Sequence, residues 1–432
     1  MTGRPAILLT LLCVAAAAAD SPRFRGAAGD GVAASDAVAV PRSKEDHLWR
    51  TPTADAGWSS PAVAEGRIWL TAARVTPASE EEKARKLAGV KFAQIKDVVG
   101  SATLSVVCLD LATGETIIDR ELTTVTDPSP VHPMNSFASP TCAVSGGRVV
   151  AHFGRYGTWC LDAATGQTLW TRAIDIDDSV GPGSSPVVHE GVVLIVSDGV
   201  DRQFVSGLSL ADGSVLWQTP RPPMGDRNGE FKKAYSTPLL IEVGGATQAV
   251  IPGSVWCCAY GPADGRELWR VRHGDGYSVT PMATYAAGLV AFATGYGETE
   301  ILAVDPTGRG DVTATHVRWR QSKGAPAKPS LVSDGTLLYV AADDGVLTVL
   351  RAADGSVVYR KRLGGQFSAS PLLSGGRVFV GNHDGELFVF RTGETYEEVA
   401  RVDFGEQIMA SPVAVGDDLL VRTKAAVYRF TP

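Results

Sequence analysis

Apolar and polar residues alternate with period two over short runs of this chain, and glycine or aspartate interrupts the runs at close intervals. SPLLSGGRVFVGNHDGELFVF, residues 370–390, shows the unit: a proline opens a short apolar run, a glycine turn follows, and a second run alternates. Such a pattern predicts consecutive antiparallel strands joined by tight turns. The unit recurs, opened by a hydroxyl residue and proline at Pro61, Pro140, Pro186, Pro238, Pro281, Pro371 and Pro412, with a degenerate KPS at Pro329 filling the one wide gap. The successive intervals are 79, 46, 52, 43, 48, 42 and 41 residues. Apart from the first, they match the length of a four-stranded propeller blade, about 40 to 50 residues.

In each unit the third strand runs into a turn glycine, at Gly114, Gly166, Gly213, Gly265, Gly308, Gly355 and Gly393. Glycine there permits the positive φ of a tight hairpin. Four residues beyond stands Trp170, Trp217 or Trp269, with Tyr359 and Ile118 in other copies, while Trp319 arrives late because GRGDVTATHVRW lengthens its turn. A large ring at a fixed repeat position predicts packing between neighbouring blades. The last unit, ASPVAVGDDLLVRTKAAVYRF, has residues for three strands only, and HLWRTP at Trp49 is expected to supply the fourth. The expected fold is an all-β, eight-bladed propeller of four-stranded antiparallel blades, closed by that N-terminal strand so that two sheet edges disappear.

Composition agrees with a turn-rich β protein: among 432 residues, 47 are glycine and 44% are apolar. A net charge of −7 provides no basic field to gather phosphates, so general nucleic-acid binding is not expected. Residues 1–19 combine Arg4 with an apolar run too short to span a bilayer and read as a signal peptide, cleaved after Ala17-Ala18-Ala19. Bulky Leu12 before Cys13 argues against lipid attachment. Residues 20–432 then form a single propeller with no transmembrane segment, expected to be exported to the periplasm or beyond and monomeric. The long first interval carries a partly helical insertion, about 74–103, in which Ser79 and Glu82 fit a capping box. The insertion reads as a solvated excursion.

The aspartate, T-G turn and tryptophan of CLDAATGQTLW resemble the repeat of the pyrroloquinoline-quinone (PQQ) family of propellers, which includes quinoprotein alcohol dehydrogenases and the propeller lipoprotein of the outer-membrane barrel-assembly machine. SPRFRGAAGDGV, HPMNSFASP, HFGRYGTWCLD, GPGSSPVV, SDGVDRQFVSGL and LGGQFSASP are most similar to exported PQQ-like propellers of planctomycete-type bacteria. The resemblance spans nearly all of the mature chain. For a catalytic member it implies PQQ, a divalent cation such as Ca2+ on hard oxygen ligands, and a carboxylate base. No cofactor, metal or catalytic residue is assigned to this chain. Vicinal Cys257-Cys258 is similar to the adjacent-cysteine disulfide of some family dehydrogenases, yet it lies in a strand, where neighbours face opposite sides, and reads as structural. IDIDDSVG, residues 174–181, lacks the glycine position and final glutamate of a calcium loop and reads as solvated.

The first strand of each propeller blade lines the central channel, so residues just before each S-P step surround its mouth. They are Trp58, His132, Asn135, Phe137, Lys232, Tyr235, Tyr277, Lys328 and Phe367, followed by Met409. Aromatics mixed with histidine, asparagine and lysine around an opening suit a ligand site, for a protein, peptide or glycan; the alternative is that these rings plug the channel. Arg155, Tyr156, Asp198 and Arg202 follow second strands and belong to the same mouth or the opposite one. The expected function is a non-catalytic binding or scaffold module; the alternatives are a PQQ-dependent oxidoreductase with a divergent site and a role in outer-membrane assembly.

Overall fold

The computed structural model describes residues 20–53, 56–90 and 92–432; the expected signal peptide and Cys13 lie outside them. Eight sheets form eight blades, at residues 62–125, 143–172, 187–220, 239–272, 284–321, 332–362 and 372–403, with the last built from 413–430 and Trp49–Pro52. The N-terminal strand pairs antiparallel with Ala426–Phe430, Trp49 opposite Arg429 and Pro52 opposite Ala426, which closes the ring as expected. One departure concerns blade four. Gly310–Asp311, from the lengthened turn of blade five, adds a short parallel fifth strand against Trp269 and Arg270.

The hydroxyl of the S-P step has a physical role that its repetition alone did not reveal. The Ser60 amide donates to the Thr141 hydroxyl (2.9 Å), the Thr141 amide to Ser185 (2.9 Å) and the Ser185 amide to Thr237 (2.9 Å). The Met282 amide donates to Ser330 (3.0 Å), Ser330 to Ser370 (2.9 Å), Ser370 to Ser411 (2.9 Å) and Ser411 back to Ser60 (3.0 Å). A belt of side-chain acceptors thus satisfies buried amides that the innermost strands leave without ladder partners. The belt breaks between blades four and five, where Met282 offers no hydroxyl; there the Ser236 hydroxyl donates to the Pro281 carbonyl (2.9 Å). Thr141 and Ser330 follow their prolines, so the equivalent positions are set by the belt and not by the proline.

The tryptophans join blades at the outer side. The indole N–H of Trp170 donates to the Leu210 carbonyl of the next blade (2.9 Å), Trp49 to Leu111 (3.0 Å), Trp217 to Pro262 (3.2 Å) and Trp319 to Ala352 (3.0 Å). Each ring lies on the next blade's turn glycine: a Cβ on Gly213 would stand 2.6 Å from Trp170, and Gly114, Gly265 and Gly355 meet Trp49, Trp217 and Trp319 in the same way. Glycine is therefore required twice, for its positive φ and for the approach of the ring. Trp269 differs: it is fully buried in one core with Val312, the residue after the added strand, and donates to Gln248 within its own blade (2.7 Å). Tyr359 packs in the core of blades six and seven, without a glycine beneath it.

Residues 21–40 run beneath the ring, on the side of the first turn of each blade. The Ser21 amide donates to Val63 (3.0 Å), Pro22 accepts from Val144 (2.8 Å), Arg25 donates to Leu331 (2.5 Å), Ala33 to Leu373 (2.8 Å) and Ala39 to Asp417 (2.8 Å). These partners belong to blades one, two, six, seven and eight, so the segment spans the lower opening. On the other side, the insertion of blade one rises from a long hairpin, Arg67–Pro77 with Val99–Asp110, whose pairing continues to Pro77 opposite Val99. The one α-helix among the described residues, Glu80–Leu87, begins with the Ser79 and Glu82 capping box. The intervening chain then crosses to the incoming loop of blade two, where Asp97 pairs with Val131.

Candidate functional site

A cavity of about 360 Å³ occupies the channel. The serines and threonines of the belt form its waist, Phe24 of the lower segment lies at its floor, and Phe92, Ile95 and Lys96 of the insertion lie over its mouth. The insertion, expected to be a solvated excursion, is a lid: Lys96 Nζ reaches the backbone and hydroxyl oxygens of Ser179 (3.3 Å each). Phe92 and Ile95 line the cavity and remain 47% and 42% exposed, so the lid presents apolar surface beside the opening.

Of the residues expected at the mouth, Trp58, His132, Asn135, Tyr235, Tyr277, Lys328 and Met409 line this cavity together. Phe137 and Phe367 do not: both are buried in cores between blades, Phe137 against Tyr156 and Phe367 against Phe388. Lys232 is also absent from the lining, where its neighbour Lys233 takes the place. The one-residue difference arises because Gly229–Phe231 forms a 3-10 turn, which rotates the following side chains. Sequence reasoning further missed Phe24, Met134, Glu230, Phe231 and Tyr296. Phe24 and the lid come from segments outside the repeat, so repeat position carried no signal for them.

The lining residues divide by role. The Asn135 amide nitrogen donates to Val180 (2.9 Å) and Pro182 (3.1 Å) carbonyls, and its oxygen accepts from the Ser136 amide (2.8 Å) and the Ser139 hydroxyl (2.5 Å). Its side chain is fully engaged in shaping the loop. The Tyr235 hydroxyl donates to the Asp178 carbonyl (2.8 Å), and Tyr277 stacks edge-on with Phe231 (4.8 Å). His132 accepts the Met134 amide at Nδ1 (3.1 Å), which leaves the neutral ring's proton on Nε2. Burial, and then nearby Lys328, hold its pKa below the ordinary histidine value. The indole N–H of Trp58 is buried without a partner.

Charge in the cavity is predominantly positive. Lys96, Lys233 and Lys328 line it against a single carboxylate, Glu230. Glu230 is ion-paired with Lys233 and accepts from the Ser179 hydroxyl (3.0 Å). Burial opposes its ionisation, but the Lys233 ammonium and Ser179 outweigh burial and hold the carboxyl below its usual range. Lys328 stands 3.5 Å from Asp343, whose other oxygen accepts the Ala327 amide (2.6 Å). Lys96 bonds directly to Ser179 and acts on the Glu230 carboxylate through that hydroxyl.

The loops after second strands share this face. Arg155 donates to Ser129 (2.8 Å) and Asp177 (3.2 Å) in the loops entering blades two and three, and Asp175 pairs with Arg202 (2.6 Å). Burial pushes the Asp178 carboxyl up to about 6. The acidic stretch 174–181 is thus tied to arginines or buried. Asp198 lies deeper, in a bidentate pair with Arg221 (2.7 Å) at 0% and 1% exposure. Cys257 and Cys258 are unpaired thiols in separate cores, Cys257 with Trp269 and Cys258 with Tyr260, as opposite-facing strand neighbours must be.

A quinone with its cation would need several hard oxygen ligands converging in the channel. The cavity has one carboxylate, already bonded to Lys233, and no group of three or more histidine, cysteine, aspartate or glutamate side chains converges among the described residues. These residues do not fit the cation half of such a centre.

Comparison with known proteins places this architecture. Residues 47–247 and 298–396 match the family model described as outer membrane protein assembly factor BamB. Outer membrane protein assembly factor BamB of Burkholderia pseudomallei is 30% identical over 303 residues, which cover 63% of this chain and 78% of that protein. A beta-alanine-activating enzyme of Drosophila melanogaster is 25% identical over 268 residues, 58% of this chain but only 25% of its own length. Among solved structures, BamB of Moraxella catarrhalis superposes with a TM-score of 0.59 at 12% identity, covering 89% of this chain and 99% of that one. The quinohemoprotein alcohol dehydrogenase of Comamonas testosteroni gives a TM-score of 0.66 at 13% identity, over 95% of this chain and 80% of that one. At such identities the structural matches speak for the fold alone. Repeat, ring and sequence match agree, and the chain belongs to the PQQ-like β-propeller family whose model is that of outer membrane protein assembly factor BamB.

Proposed function

We propose that this protein is an exported, non-catalytic binding propeller that docks a partner protein or peptide at the lidded mouth of its channel. The observation that carries the reading is the cavity itself: closed below, walled by aromatic rings, and lined by three lysines against one carboxylate that is already paired. Concave, mostly apolar sites with a few placed polar groups are where ligands bind. The similarity to an outer-membrane assembly factor supports a protein as the partner. No helix among the described residues is long and apolar enough to cross a membrane.

A photo-crosslinking residue replacing Phe92 on the lid should capture a discrete partner in the native host, and one replacing exposed Tyr285 on the opposite side should not. Equal capture from both positions would sink the proposal. The oxidoreductase reading predicts heat on titration with PQQ and calcium, and turnover of simple alcohols in a dye-linked assay. Micromolar PQQ binding with turnover would replace the binding reading.

A further inference from the structure

We infer that the cavity receives the C-terminal end of a partner polypeptide, with its free carboxylate among Lys96, Lys328 and His132 and its last, large apolar side chain against Trp58, Phe24 and Met409. The inference rests on the binding function proposed above and names what enters the site.

Three features carry it. The first is shape. With Phe24 at the floor and the lower segment crossing beneath, a chain cannot thread through the ring; it must end inside, or enter and leave by one narrow mouth. A chain end meets that restriction with one strand of backbone in the opening. The second is charge. Glu230 has Lys233 as its ion-pair partner and Lys96 acts on it only across the Ser179 hydroxyl, while Lys328 has Asp343 at 3.5 Å, so three ammonium groups face two carboxylates. The net positive character favours a terminal carboxylate and opposes a terminal amine. The third is hydrogen-bonding sense. Two lining groups can only donate: His132 presents N–H at Nε2, because Nδ1 accepts Met134, and the Trp58 indole N–H is buried without a partner. The belt hydroxyls are occupied as acceptors between blades. A ligand that supplies acceptor oxygens on an apolar body meets this set, and one that supplies donors leaves it unsatisfied.

Isothermal titration of the intact protein with the tetrapeptide Gly-Ser-Gly-Phe, as the free acid and as the C-terminal amide, tests the assignment. The acid should bind about tenfold or more tightly than the amide, since one charge-assisted contact commonly amounts to that factor. Lys96→Ala should abolish the difference and Lys96→Arg should keep it, while Lys83→Ala, on the exposed lid helix, should leave binding unchanged. Thermal melts of each variant separate lost binding from lost folding. Equal binding of acid and amide, or no binding of either at millimolar concentration, would overturn the inference. N-acetylphenylalanine binding as tightly as the tetrapeptide would also overturn it, because a small free acid would then suffice. The proposal of a docking mouth fails separately, if crosslinking from Phe92 is no more selective than from Tyr285.

Discussion

At the scale of single residues, the turn glycines show how one position meets two requirements. Gly213 has φ of +73°, and a Cβ there would lie 2.6 Å from the Trp170 ring. Gly146 has φ of +55° but open space around it. Gly213→Ala should therefore destabilise by about 2 to 4 kcal/mol, combining left-handed strain with displacement of the ring, and Gly146→Ala by about 1 kcal/mol. Chemical unfolding midpoints of the two variants check this, and equal losses would show that the ring contact is unimportant. The residue before each tryptophan explains another regularity. Ladder pairing jumps from Cys160 opposite Trp170 to Leu161 opposite Thr168, leaving Leu169 as a bulge. Leu169 and its counterpart Leu216 are 47% and 52% exposed for that reason. The bulge re-aims the following ring towards the next blade.

At the scale of elements, the closing strand and the lid are both segments that sequence position alone would not rank. Trp49–Pro52 joins strands almost four hundred residues away, and Trp49 is held by the Leu111 carbonyl (3.0 Å) and by packing with Val63, Ile68 and Val427. Trp49→Ala should cost about 3 to 5 kcal/mol, the range for truncating a buried aromatic, and should raise hydrogen exchange in Ala426–Phe430 before other outer strands. Uniform exchange across the blades would contradict a closure held at this strand. The closure was legible in the sequence because the last unit is one strand short and the first tryptophan is surplus. The lid was not: its charged helix has no buried residue, and only the path of the following loop brings Phe92, Ile95 and Lys96 over the channel.

For the whole molecule, stability should depend on pH through its buried histidines. Burial depresses His152 and His273 from 6.5 to about 4. A depressed histidine stabilises the fold fully above pH 6.5, and that contribution is lost as pH falls through about 4. Each contributes on the order of 3 kcal/mol. Asp178 has the opposite sign: raised to about 6, it favours the fold below its ordinary value and loses that contribution as pH rises through 6. His383 is depressed to about 4 as well, and Asp198 is raised by burial like Asp178, so three histidines outweigh two aspartates and the urea midpoint should rise between pH 4 and pH 6.5. His152→Gln, which keeps a partner for the Thr158 hydroxyl, should flatten the rise. A midpoint independent of pH over that interval would refute the account.

What the sequence by itself determined is the part of the protein that repeats. Period-two runs, the S-P step, the turn glycine and the following tryptophan each recur because every blade solves the same packing problem. Eight blades, their closure and the aromatic channel residues Trp58, Tyr235 and Tyr277 followed from that regularity. The tertiary structure alone decided which of two adjacent lysines enters the cavity, that Phe137 and Phe367 turn into the cores, that the N-terminal segment closes the channel below, and that the lid overhangs its mouth. Those are contacts between segments distant in sequence, or a rotation set by one local turn, and neither leaves a period in the chain. Lys233 enters because Gly229–Phe231 turns the backbone just before it, and Phe24 forms the floor because its segment is held to four blades by backbone hydrogen bonds that many sequences can make and to a fifth by the Arg25 guanidinium.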